Sequence, residues 1–140
     1  MSYLLDTNVI SEIRKAAPNA GVEAWFAGTE SPELFLSVLV LGEIRQGVER
    51  LRRRRDPQQA RIFDGWLATL KDEFADRLLP VSAAIAERWG SINAVQPLPV
   101  VDGLLAATAL EHDLTFVTRD TTPFGTAGVR ILNPWSRSGS

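Results

Sequence analysis

Tyr3-Leu4-Leu5-Asp6-Thr7-Asn8 is a short apolar run that ends in a carboxylate and passes at once into two polar side chains. It reads as a brief buried strand with a helix starting directly after it. In open α/β sheets the crevice beyond the carboxyl ends of the strands is where ligands bind. An acid at that point either caps the helix or belongs to a site, and Asp6 alone does not decide between the two. Three more acids fall at comparable places. Asp102 is expected at or near the N-cap of a helix. Asp120 follows the apolar run Thr115-Phe116-Val117-Thr118. Glu43 lies in the second turn of the helix that follows Leu34-Phe35-Leu36-Ser37, to one side of its apolar stripe.

Outward from that start, helix and strand signals alternate. A short helix is expected over 8–15, and a second, opened by Pro18-Asn19, runs through Trp25 and Phe26 to Gly28. Ser31-Pro32 marks a turn before the strand 34–37. Leu41, Ile44, Val48 and Leu51 recur at helical spacing and carry a long helix to the arginine run. Ile62, Trp66, Leu70 and Phe74 predict another over 58–74. Leu78-Leu79-Pro80-Val81 reads as an edge strand, because proline donates nothing to a ladder. Ser82 caps a helix bearing Ile85, Trp89 and Ile92. Pro97-Leu98-Pro99 is a stiff linker, 103–111 is strongly helix-forming, and 115–118 and 129–132 are the last strands. This alternation predicts an α/β fold with a mainly parallel central sheet flanked by helices. Its strand C-termini then share one edge. The expected organisation is one domain over 1–135 and a flexible tail over 136–140.

Composition narrows the chemistry. The 140 residues are 45% hydrophobic and 23% charged, ordinary for a water-soluble domain, and no apolar run reaches membrane length. The N-terminus lacks a secretion-type leader, so a cytoplasmic location without membrane contact is expected. With no cysteine and one histidine, thiolate chemistry, the usual zinc sites and a two-histidine ribonuclease are all ruled out. No G-x-S-x-G elbow accompanies His112, which is expected to end a helix without a catalytic role. Any catalysis must rest on carboxylates, and hard oxygen ligands select Mg²⁺ or Mn²⁺.

Asp6, Glu43, Asp102 and Asp120 gathered at one rim would repel each other and raise one another's pKa. A divalent cation supplies the missing counter-charge and suits phosphodiester hydrolysis by a metal-activated water. Thr7, Asn8 and Thr118 are placed to orient these acids as accessory residues. No nucleophile is set beside a base, so no covalent enzyme intermediate is expected. A receiver-type phosphoacceptor would need a second acid beside Asp6 and a late-strand lysine, but Leu5 and an early Lys15 and Lys71 stand instead. A D-x-D phosphatase is excluded by Asn8.

The segments Leu5 to Glu12, Leu36-Ser37 through Gly42 to Gly47, Asp102-Gly103 through Ala106 to Ala109, Leu114-Thr115 through Thr118 to Thr121, and Asn133-Pro134-Trp135 occur in order along nearly the whole chain. Together they resemble the PIN-domain proteins of the VapC toxin type in type II toxin–antitoxin systems, and most closely the FitB-like branch. The resemblance implies a Mg²⁺-dependent endoribonuclease, with Mn²⁺ able to substitute. It places Asp6, Glu43, Asp102 and Asp120 at the family's acidic positions as metal ligands and catalytic groups, with Thr118 as accessory. Some members carry an acid slightly further on, before a Phe. Here that position is Pro123, which leaves Asp120 as the fourth acid. It also implies a homodimer, a cognate VapB-like antitoxin seated between the helices at 21–27 and 38–54, and contact with DNA only through that antitoxin. The alternative is a mainly non-catalytic partner that supports DNA binding by its antitoxin. The run Arg50-Leu51-Arg52-Arg53-Arg54-Arg55 either tracks RNA phosphates or is a solvated helix end. The four tryptophans are expected in the core or an interface.

Overall fold

The computed structural model describes residues 1–124 and 127–137. Five strands and six helices alternate through them: β1 (Tyr3–Leu5), α1 (Thr7–Ile13), α2 (Ala20–Ala27), β2 (Leu34–Ser37), α3 (Val38–Arg53), α4 (Pro57–Glu73), β3 (Leu78–Leu79), α5 (Ala83–Val95), α6 (Val100–Glu111), β4 (Thr115–Val117) and β5 (Ile131–Leu132). Short 3₁₀ turns cover Ser31–Glu33, Thr122–Phe124 and Pro134–Arg137. The sheet order is β3-β2-β1-β4-β5, and every pairing is parallel.

Side chains alternate across this sheet, as the pleat requires. Leu5, Leu34, Leu36 and Val117 face α1 to α4, where Val9, Ile10, Val22, Val40, Ile44 and Leu70 complete one core. Leu4 and Phe116 face the other way onto Leu105, Ala106 and Ala109 of α6, with Phe35 packed beside them. The register pairs Leu4 with both Phe35 and Phe116, so the two cores are set by one alternation running through three strands. A parallel sheet covered on both faces explains why its strands read as continuous apolar runs. No helix among the described residues is long and apolar enough to cross a membrane.

Several element ends differ from the sequence reading. α1 begins at Thr7 and stops at Ile13, and α6 begins at Val100 with Pro99 as its N-cap. Asp102 is therefore the third helical residue and caps nothing. β3 stops at Leu79, because Pro80 follows with no N–H to give. β4 stops at Val117 and β5 covers only Ile131 and Leu132. The final 3₁₀ turn packs against α2 and runs two residues into the expected tail, of which residues 138–140 lie outside those described.

The arginine run closes the hairpin between α3 and α4. Arg55 has φ 60°, its N–H donates to the Arg52 carbonyl, and the Asp56 N–H reaches back to Leu51. This is the Schellman arrangement, in which the left-handed residue is normally glycine. Arg52 pairs with Glu49 and Asp64, and Arg45 also pairs with Asp64, fastening the two helices together. Part of the run is thus structural, while Arg50, Arg53, Arg54 and Arg55 are exposed.

Two substitutions test these backbone readings with opposite signs. Arg55→Gly relieves a left-handed conformation that L side chains resist and should raise stability by about 1 kcal/mol. Gly103→Ala places a Cβ 2.8 Å from Cδ1 of Trp89 and should lower stability by about 1–3 kcal/mol. Urea unfolding of both variants beside the parent measures the two shifts.

Candidate active site at the C-terminal rim of the sheet

β1 delivers Asp6 to the centre of the rim. The Asp6 N–H donates to the Val117 carbonyl at 2.9 Å, which extends the β1–β4 ladder by one bond. Its carboxylate caps α1, accepting from the Thr7 N–H at 2.8 Å. The other oxygen accepts 2.7 Å from the hydroxyl of Thr118, a residue with no solvent exposure. The Thr118 oxygen in turn accepts from the Asp120 N–H at 3.2 Å. Asn8 completes the join: Nδ2 lies 3.4 Å from both Asp6 Oδ2 and Thr118 Oγ1, and Oδ1 accepts from the Arg119 N–H.

Glu43 arrives from the neighbouring strand. Ser37 ends β2, is fully buried and caps α3 by accepting from the Leu39 N–H at 3.0 Å. That fixes the start of α3 and puts Glu43 in its second turn, where Oε1 accepts 2.6 Å from the Thr7 hydroxyl. The side chain of Asp102, in the first turn of α6, makes no hydrogen bond or ion pair with any described residue. Asp120 is exposed, in the loop after β4.

The four acids share one electrostatic neighbourhood. Burial pushes the Asp6 carboxyl above the usual carboxylate range. The hydrogen bonds from Thr118 and Thr7 pull it down, and the charge of Asp120 adds to the rise. Asp102 is raised first by burial, then by the negative charges of Asp6, Glu43 and Asp120. Among the described residues none of the four acids has a cationic partner within ion-pair distance. Such an uncompensated set of carboxylate oxygens has the donor chemistry of a hard divalent cation site. As placed, however, no three acids among the described residues converge closely enough to hold an ion. The acids are thus coupled electrostatically without forming the ligand geometry of an ion site.

The PIN domain description matches this chain over residues 3–128. The chain belongs to the PIN-domain family. Among PIN-domain relatives it is 35% identical over 139 residues to Toxin FitB of Neisseria gonorrhoeae, covering 94% of this chain and 97% of that one. It is 36% identical over 139 residues to the VapC ribonuclease Y4jK of Sinorhizobium fredii, covering 94% of this chain and 96% of the relative. The fold superposes on the structure of FitAB bound to an IR36 DNA fragment with a TM-score of 0.84, 33% identity and 95% coverage of each chain.

The seven side chains expected at the site lie just past the β1 and β4 ends of the rim or within the first two turns of α1, α3 and α6. Two contributors, from segments that carry the resemblance, were not named as site residues. Ser37 carries a sequence signal, a serine directly before an apolar helical stripe. The loop clamp at the C-terminal side carries a weaker one. Asn133 Oδ1 accepts from the Trp135 N–H at 2.9 Å, Asn133 Nδ2 lies 3.4 Å from the Arg119 carbonyl, and the Arg119 guanidinium carbon sits 5.3 Å from the Trp135 ring centre.

Linkage fixes the sign of the pH effect. A carboxyl raised by folding stabilises the fold below its unfolded pKa, and that stabilisation is lost as pH rises through the folded value. The metal-free chain at neutral pH therefore bears a cost at Asp6 and Asp102. Glu12 and Asp64, lowered chiefly by hydrogen bonds from Lys15 and Arg45, act in the opposite sense. Asp102→Asn should raise the melting temperature of the metal-free protein at pH 7 and shrink its gain on acidification. Thermal scans of both chains across pH 4–8 read this difference. Thr118→Val removes the hydroxyl that holds Asp6 and should cost about 1–3 kcal/mol, read by urea unfolding.

Proposed function

We propose that this chain is the toxin of a type II toxin–antitoxin pair and acts as an endoribonuclease dependent on Mg²⁺, with Mn²⁺ able to substitute. The observation that carries this reading is the set of four carboxylates at one rim, mutually repelling and without a cationic partner. A domain that only bridged to a DNA-binding partner would gain nothing from that uncompensated charge. The names of its relatives, a toxin and a VapC ribonuclease, agree with it.

Asp6 and Asp102 are the principal ligands in this reading, with Glu43 and Asp120 completing the oxygen set. A bound divalent ion supplies a water of lowered pKa and a counter-charge for the phosphoryl oxygens. Thr118 and the Thr7 N–H hold the Asp6 carboxylate in one orientation, so its oxygens face the rim and not solvent. The Thr7 hydroxyl does the same for Glu43. Asn8 keeps the Arg119–Asp120 loop against α1. Each of these bonds removes a rotation that an acid would otherwise have to lose when the ion and RNA bind.

The partner in this reading is a VapB-like antitoxin, as the FitAB complex suggests, and contact with DNA runs through it. The helices α2 and α3 wall the groove assigned to it. A homodimer is the expected assembly, and the cytoplasm, where RNA is abundant, the expected compartment.

Purified chain freed of antitoxin should cut total cellular RNA into discrete fragments with Mg²⁺ or Mn²⁺ and leave it intact in EDTA. Asp6→Asn and Asp102→Asn should each lower the rate by at least about 100-fold while remaining folded. Cleavage at the parental rate by either variant, or full cleavage in EDTA, would overturn the assignment.

A further inference from the structure

The rim is acidic, yet RNA carries a negative charge at every nucleotide. An ion held by the carboxylates neutralises only the phosphate it touches, so the flanking phosphates need a cationic side chain close by. Several arginines and lysines are already engaged. Arg45 and Arg52 hold Asp64 and Lys15 holds Glu12, while Arg14, laid over Phe63 and Trp66, caps the end of α1 away from Asp6. The exposed arginines at the far end of α3 begin seven residues past Glu43, about 10 Å along the helix axis.

Arg119 is different. It lies between Thr118, which holds Asp6, and Asp120, and its side chain is exposed. No carboxylate of the described residues lies within ion-pair distance of it. It acts on Glu12 only through space, since Lys15 and the Asn19 N–H occupy the oxygens of that side chain. Its backbone is held on both sides, the N–H by Asn8 and the carbonyl by Asn133. The guanidinium rests on the ring of Trp135, itself packed into the core beside α2. A cation–π contact of this kind holds the group in place without neutralising it, leaving its N–H donors free.

We propose that Arg119, laid on Trp135, is a substrate-contacting residue that binds the RNA backbone at a phosphate next to the carboxylates. The inference rests on the ribonuclease reading and names the contact that secures RNA beside an acidic site. The exposed guanidinium plane also offers a face on which an unpaired base stacks, so the contact favours single-stranded RNA.

The test uses the full chain carrying Asp102→Asn, so that RNA is not cut, and a fluorescein-labelled single-stranded RNA of mixed sequence. Anisotropy titrations are run over a range of KCl concentrations. Adding Arg119→Ala should weaken binding about tenfold at moderate salt. It should also reduce the slope of log Kd against log salt by roughly 0.7, the loss of one phosphate contact. Arg119→Lys should keep the slope and bind with intermediate affinity. In the otherwise unaltered chain, Arg119→Ala should raise KM for RNA cleavage more than it lowers kcat. Its Mn²⁺ affinity, measured by calorimetry, should not fall, because removing a nearby cation favours metal binding; a fall would mean the acidic loop had been damaged and would overturn the assignment. An unchanged slope and KM in Arg119→Ala, or lysine behaving as alanine, also overturns it. If the unaltered chain fails to cut RNA in Mn²⁺, the ribonuclease reading fails. If it cuts and Arg119→Ala matches it in slope and KM, the Arg119 contact fails alone.

Discussion

The hydrogen bond from the buried Thr118 hydroxyl to the Asp6 carboxylate joins two residues 112 positions apart, and the geometry of the rim depends on it. It forms only because β1 and β4 are neighbours at the centre of a parallel sheet, with Leu5 opposite Val117. One residue beyond that pair, the chains diverge into α1 and into the Arg119–Asp120 loop. Thr118 bridges the divergence through a single oxygen, donating to Asp6 and accepting from Asp120. A shift of one residue in register would turn Thr118 to the opposite face of the sheet and leave Asp6 without its donor. The apolar alternation of Leu4, Leu5, Phe116 and Val117 thus specifies the site as firmly as it specifies the core.

Around that bond, the fold holds like charges where burial already disfavours them. Packing on both faces of the sheet offsets the cost, since two cores anchor β1 and β4 independently of the rim. The acids come from separate elements: the end of a strand, the second turn of α3, the first turn of α6 and a loop. No single local rearrangement can relieve their repulsion. At Asp102 the N-terminal end of the α6 dipole gives partial relief. This arrangement favours a bound cation over any change of fold.

Much of this was legible in the chain. The order of strands and helices follows from where apolar runs alternate with helical stripes, and the acids stand at the ends of those runs. The start of α6 was misplaced because Pro97-Leu98-Pro99 reads as linker. Pro99 in fact takes the cap position, and its lack of a side-chain cap leaves Asp102 free of that duty. That Thr7 and Thr118 orient the acids was legible, but which acid each one reaches was not, because the pairings of Thr7 with Glu43 and of Thr118 with Asp6 depend on strand neighbours far apart in sequence. The division of the arginine run was hidden for the same reason. Only the docking of α4 on α3 brings Asp64 to Arg45 and Arg52.

The C-terminal clamp shows how a remote segment bears on this rim. Pro134 follows Asn133, whose side chain accepts from the Trp135 N–H and so turns the chain back toward α2. Trp135 then has one part of its ring in the core and another under Arg119. An indole can serve both roles because its apolar body tolerates burial while its face attracts a cation. The loop bearing Asp120 is exposed and would otherwise be tied down only by Asn8 and Thr118 at its base. With Asn133 on its carbonyl and Trp135 beneath its side chain, Arg119 is restrained by the C-terminal segment as well as by Asn8 of α1. The fourth acid is therefore positioned by both ends of the chain, which explains why so short a loop can carry it without secondary structure of its own.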